Sequence, residues 1–378
     1  MMRTDHGWEL PDPFLKEDGT RIADKQEWPR QRARLRKLLE EHFYGTVPGR
    51  PENMKSRVLE TSAADGTVRE TVRLMTGPGE AVCFNIHVSR KEGVKAVPCV
   101  VFLQHGWDRP YMAEAALKKG YAFITLEIGE AAPDDPLTWN KGGCGKAYPD
   151  FTWRSVAMWG WLESRVIDWL ETEDFCDPGK IIVTGHSRMG KGTCACGVFD
   201  DRPAVVAPAG SGCGGMASLR LSGSRLGEGV GMSERIGIML REDRFFYWLT
   251  DEAASYGSPD GLKPYRENEC PYDANTIGAV IAPKPLILTE GADDTWINPY
   301  GTQTAWLAAG EVYRFLGAPE LLGIRYREGG HMYADEDFDA VLRFAGKVFG
   351  EETDIGNIKT AGKEGPEFKA GYSWSCPL

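Results

Sequence analysis

Apolar and polar residues alternate in two different rhythms along this chain. Residues 26 to 44 (QEWPRQRARLRKLLEEHFY) repeat their apolar positions at helical spacing, which predicts a helix closed by Gly45 and Pro48. Residues 68 to 75 and 81 to 89 alternate with period two, the mark of antiparallel strands leading into a sheet. From residue 97 onward the pattern changes to short continuous apolar runs: 97 to 103 (VPCVVFL), 121 to 126 (YAFITL), 180 to 184, 204 to 208, 285 to 289 (PLILT) and 324 to 327. Helical stretches separate several of these runs, among them AEAALKKG, residues 153 to 170 (WRSVAMWGWLESRVIDWL) and a last one at 336 to 349. A strand that is apolar on both faces is covered on both faces, so the runs predict a mostly parallel, doubly wound α/β sheet.

The stretch from 214 to 280 breaks this alternation with glycine-rich and aromatic sequence (RFFYWL), and it predicts an insertion that forms a lid or a substrate wall. The expected organisation is a helical arm over 1–50, an α/β domain over 51–350 that contains the insertion, and a polar tail over 351–378.

Composition narrows the function more than the fold. The chain has 378 residues and a formal net charge of −11, with no basic run that could offset phosphate repulsion, which argues against a nucleic-acid partner. No apolar window approaches the length of a membrane span, and MMRTDHGWELPDPFLKEDG lacks a basic stretch followed by an apolar segment, so the expectation is a soluble, cytoplasmic protein. Nine cysteines lie scattered from Cys83 to Cys376, and Cys194-Ala-Cys196 is too tight for the usual zinc spacing. Reduced thiols, no metal and no cofactor are expected.

The candidate chemistry sits in IIVTGHSRMGKGT, residues 181 to 193. Read as G-x-x-x-x-G-K it approaches a phosphate loop, but Gly192 occupies the place where Ser or Thr would hold Mg²⁺. Read as strand, tight turn and helix around Ser187 it approaches the nucleophile turn of a serine hydrolase, with the second glycine one residue late. Partners favour the second reading. A serine hydroxyl needs a histidine to take its proton and a carboxylate to orient that ring. Of the six histidines only His331 lies downstream of Ser187, after a strand and on a Gly329-Gly330 turn. The acid belongs on the loop after the penultimate strand, where Asp294 is the first choice, with Asp293 and Glu290 as alternatives. The amide of Arg188, at the start of the following helix, would face the developing oxyanion, and its guanidinium could reach it too. Gln104-His105-Gly106-Trp107 occupies the loop where hydrolases often place a second donor.

The run GHSRMGK, with PAGSGCGG, PYDANTIGAVIAPKPLIL, DDTWINPYG and GGHMYADEDFDAVLRFA downstream, resembles carbohydrate esterase family 15, the glucuronoyl esterases, and related bacterial acetyl xylan esterase-like proteins. The resemblance covers residues 95 to 350 and implies a three-layer α/β-hydrolase fold without a metal. It implies Ser187 as nucleophile, His331 as base, Arg188 as an oxyanion contributor, Lys191 as a contact to a sugar carboxylate or hydroxyls, and Trp296 as a lining of the sugar site. Three departures matter. Gly210 stands where fungal members carry a glutamate, so the acid should be Asp294. His186 and Met332 stand where family members carry bridged cysteines, and His186 is expected to point away from the nucleophile as a structural residue. Phe245 appears where glucuronoyl-specific members carry a sugar-binding glutamate. The expected activity is hydrolysis of a small carbohydrate ester, first a 4-O-methylglucuronoyl ester, then an acetyl or feruloyl ester of a xylo-oligosaccharide. A non-catalytic sugar-binding relative is the more remote alternative.

Overall fold

The computed structural model describes residues 9–104, 109–221, 233–258, 266–361 and 371–377. Among these residues ten strands form one sheet: β1 (Met54–Ala64), β2 (Thr67–Thr76), β3 (Val82–Lys91), β4 (Val97–Leu103), β5 (Ala122–Leu126), β6 (Cys176–His186), β7 (Val205–Ala209), β8 (Leu286–Gly291), β9 (Leu322–Arg327) and β10 (Lys359–Thr360). Their spatial order is β1-β2-β3-β5-β4-β6-β7-β8-β9-β10. The first three pair antiparallel, and β3 pairs antiparallel with β5. From β5 through β9 every pairing is parallel. The helices are α1 (Trp28–Leu39), α2 (Pro110–Lys118), α3 (Gly143–Ala147), α4 (Ser155–Leu170), α5 (Arg188–Phe199), α6 (Ile236–Met239), α7 (Asp251–Ser255), α8 (Ala274–Ile281), α9 (Pro299–Leu316) and α10 (Asp335–Val348).

The continuous apolar runs form the parallel strands because successive side chains enter opposite layers. Val101 and Val183 join the core under α1, α4, α5, α8 and α9, whereas Val100, Phe102 and Ile182 join a second core under α2 and α10. From β4 the chain turns one way to β5 and later the other way to β6, so the order reverses at the carboxyl ends of β4 and β6. Ligand crevices of open α/β sheets form at such a reversal. Ser187 immediately follows β6 there.

Several elements differ from the sequence reading. β1 carries almost only exposed side chains, so its strand character has no apolar alternation to reveal it. α9 is buried along most of its length and begins at Asn298-Pro299, whose side-chain cap and proline are start signals embedded in an apparent loop. α8 begins within the expected 214–280 insertion, yet it is buried throughout and packs on α9, making it part of the helical layer. The helix of the N-terminal arm buries Trp28, Leu35 and Leu39 in the main core, and Arg32 reaches Val280 O at 2.6 Å. The tail wraps back: β10 pairs with β9, and Trp374 donates to Leu10 O at 2.9 Å. All nine cysteines are free thiols, and no described helix is long and apolar enough to cross a membrane.

Candidate active site

Ser187 sits between the end of β6 and the first turn of α5 with φ 58° and ψ −124°, a conformation that costs a non-glycine residue on the order of 1–2 kcal/mol. Ser187 N–H donates to Ala209 O at 2.9 Å, which ties the turn to the end of β7. Such a tight turn requires small residues where α5 meets the sheet. A Cβ on Gly185 would lie 2.7 Å from Met189 O, and one on Gly190 would lie 3.0 Å from both Gly185 O and Ala209 O. Gly190 therefore answers to contact with β6 and β7, while Met189, two residues after the serine, is buried.

The Ser187 hydroxyl lies 3.0 Å from His331 Nε2, and His331 Nδ1 lies 2.6 Å from Asp294 Oδ2. With the carboxylate accepting from Nδ1–H, Nε2 is left to accept the serine proton. Asp294 is buried, and its Oδ1 accepts from Ile297 N at 3.3 Å. Asp293, the neighbouring alternative, is exposed and accepts from Gly329 N at 2.7 Å, pinning the histidine loop to the acid loop without touching the ring. Gly291 makes that approach possible, since a Cβ there would stand 2.6 Å from Gly329 O and Gly330 O. Glu290 is fully buried; burial first, and the Asp294 charge second, hold its carboxyl well above the usual range.

Arg327 holds this loop and was not visible as a site residue in the sequence. Its Nη2 donates to Gly330 O at 2.8 Å and Met332 O at 2.6 Å, on either side of His331, while its Nε donates to Asp337 Oδ2 at 2.7 Å. The available signal was the alternation Arg325-Tyr326-Arg327, which puts both arginines on one face of β9 opposite Asp337; Arg325 also bonds Asp337 at 2.8 Å.

His186 is a correction. It does not point away from the nucleophile: its ring lies 4.6 Å from that of His331 at 34°, and 6.0 Å from that of Tyr333. Its buried Nε2 makes no hydrogen bond to a described residue and faces the carbon-free side of Gly210, where a Cβ would come within 3.3 Å. Burial, followed by the proximity of His331, pushes its pKa down to about 3, so it stays neutral beside the base. Period-two alternation misplaces it because Ser187 leaves the strand through positive φ.

Lys191, for which the resemblance implied a sugar contact, is 1% exposed, and its Nζ donates to Ser211 O and to Glu234 Oε2, both at 2.7 Å. The ammonium is consumed inside the wall behind the turn, which also removes it from any phosphate-loop role. Trp296 is half-buried, 5.4 Å from the Arg244 guanidinium, and its carbonyl accepts from Glu234 N at 2.7 Å. Arg188 opens α5 and its Nη1 donates to Asp134 Oδ2 at 2.7 Å. A cleft of 410 Å³ is lined by Ser187, His331, His186, Arg188, Met189, Met332, Gln104, Arg109, Phe102 and Leu103. Lys191 and Trp296 are not among these lining residues. Residues 105–107 of the expected second-donor loop lie outside the described residues. Among the described residues no cluster of potential metal ligands is present.

Comparison with known proteins agrees with this geometry. The family model described as glucuronyl esterase of fungi matches residues 74–317. The carbohydrate esterase MZ0003 from an unknown prokaryotic organism is 27% identical over 89% of this chain and 89% of its own length. The 4-O-methyl-glucuronoyl methylesterase 1 of Wolfiporia cocos (strain MD-104) is 26% identical over 92% of this chain and 82% of its own. Among solved structures, a carbohydrate esterase family 15 glucuronoyl esterase from Caldicellulosiruptor kristjansonii superposes with a TM-score of 0.78 at 25% identity, covering 98% of this chain and 97% of that one. The family model runs from within β2 to the end of α9, well over half the sequence, and the chain belongs to the glucuronoyl esterases of carbohydrate esterase family 15, carboxylic-ester hydrolases that act on carbohydrates.

Proposed function

We propose that this protein hydrolyses 4-O-methylglucuronoyl esters through a Ser187 acyl-enzyme. The observation that carries the reading is the unbroken relay from Ser187 Oγ to His331 Nε2 at 3.0 Å and from His331 Nδ1 to Asp294 at 2.6 Å, at the floor of an open cleft. Ser187 Oγ attacks the ester carbonyl as His331 takes its proton; Asp294 stabilises the imidazolium and fixes its tautomer. The carbonyl oxygen becomes an oxyanion, met by the amide and guanidinium of Arg188 at the positive end of α5; one such donor is worth about 3–4 kcal/mol. His331 then returns the proton to the departing alcohol. Water, deprotonated by the same ring, attacks the acyl carbon, and the uronic acid leaves as Ser187 regains its proton.

A second reading, with an acetyl or feruloyl ester as the preferred substrate, draws on one feature. Phe245, at the place of the family's sugar-binding glutamate, is an aromatic ring stacked on Trp248 with centroids 3.9 Å apart and rings within 6°. Purified protein assayed against methyl 4-O-methylglucuronate, acetylated xylo-oligosaccharides and feruloyl esters separates the readings. The highest kcat/KM on the uronate, lost in Ser187→Ala, is the expected result; turnover confined to acetyl or feruloyl esters would transfer the assignment. Binding of sugar without any turnover would mark a non-catalytic relative.

A further inference from the structure

We propose that Asp134 is a positioning residue for this reaction, holding the Arg188 guanidinium at the cleft by anchoring it to the aromatic segment of the insertion. The inference rests on the reading of Arg188 as an oxyanion contributor to ester hydrolysis. Asp134 lies on the loop after β5, and its side chain is 1% exposed. Three donors from two distant parts of the chain meet on it. Tyr247 O–H and Trp248 Nε1–H donate to Oδ1 at 2.8 and 2.9 Å, and Arg188 Nη1–H donates to Oδ2 at 2.7 Å.

The charges explain why the arrangement bears on Arg188 in particular. Tyr247 and Trp248 are neutral, so Arg188 is the cation among these three donors, and a buried carboxylate left without one is strongly unfavourable. Arg188 has the converse need. At the first position of α5 its positive charge faces the positive end of the helix dipole, which drives it toward solvent. Its side chain is 34% exposed, so that route is open. Asp134 offsets the dipole and fixes one edge of the planar fork, which sets the direction of its remaining N–H groups. The Phe245 and Trp248 rings, centred 5.0 and 4.9 Å from the guanidinium carbon, confine it laterally.

The anchor is itself rigid. Ser155 N and Val156 N, at the start of α4, donate to Tyr247 O and Trp248 O at 3.0 and 3.2 Å. The aromatic pair is thereby held by its backbone on one side and by Asp134 on the other. Since pre-organised donors are what lower a barrier, loosening the guanidinium should reduce kcat and leave ground-state binding intact.

The test is a double-mutant cycle in steady-state kinetics on the best ester substrate. Asp134→Asn keeps the shape of the acceptor and removes its charge. It is expected to lower kcat by about 10- to 100-fold, the range of a weakened oxyanion donor, with KM changed less than about twofold. In Arg188→Ala the same substitution should have no further effect, and added guanidinium should restore part of the activity of Arg188→Ala but not of the double variant. Tyr247→Phe, which removes one donor and no charge, should lower kcat a few-fold in the wild-type background only, and it serves if Asp134→Asn fails to fold. Effects that multiply in the double variants, or an Asp134→Asn enzyme with unchanged kcat, would overturn the positioning role. A wild-type chain inactive on every ester would instead remove the ester reading, and this role with it.

Discussion

Lys191→Met separates a residue that braces the site from one that touches substrate. The lysine ammonium is buried and bonded at 2.7 Å to both Ser211 O and Glu234, whose side chain is 5% exposed. Methionine fills the volume but leaves the Glu234 carboxylate without its cation, and breaking a buried pair from one side costs about 3–5 kcal/mol. Urea unfolding at pH 7, compared at equal m-value, measures this loss, and Lys191→Met with Glu234→Gln should recover most of it. A variant within about 1 kcal/mol of wild type, with an elevated KM, would refute the argument and return Lys191 to the substrate side.

Other expectations follow from distances in the relay. Asp294→Asn should lower kcat by about 10⁴-fold by stabilising the wrong imidazole tautomer, whereas Asp293→Ala, which frees only a loop amide, should cost less than about tenfold; kcat values in the reverse order would reassign the acid. Gly210→Ala places a Cβ 3.3 Å from His186 Nε2 at a position with φ 48°, so it should lose about 1–2 kcal/mol in thermal unfolding and reduce kcat through the stacked His331; an unchanged melting temperature and kcat would contradict the packing. His186 is held neutral down to about pH 3 in the fold, while unfolded histidine protonates near 6.5, so the unfolded state binds the extra proton within that window. Wild-type stability should fall with decreasing pH there more steeply than that of His186→Phe, by up to about 1.4 kcal/mol per pH unit, and superimposable profiles would exclude it.

The parallel strands were legible because each is buried on both faces, and burial on both faces writes itself as an unbroken apolar run. β1 was not, since its side chains face solvent. α9 carries start and stop signals in Asn298-Pro299 and in the αL Gly317 that closes it, but they follow directly on an acidic loop whose composition is that of a turn. Ser187 and His331 followed from chain order and glycine placement, and Asp294 could be preferred over Asp293 only as a matter of register.

What the sequence determined by itself, then, was the parallel part of the sheet and the cast of the triad, because periodicity and order along the chain are local properties that survive without a fold. Orientation at the rim belonged to the tertiary structure. Asp293 and Asp294 are adjacent, and only the docking of the Gly329 loop turns one to an amide and the other to the ring. The directions of His186 and Lys191 were not legible for the same reason: the partners that decide them, His331 and Glu234, are far away in sequence. A buried charge or ring goes where its counterpart is, and that place exists only once the chain has closed on itself.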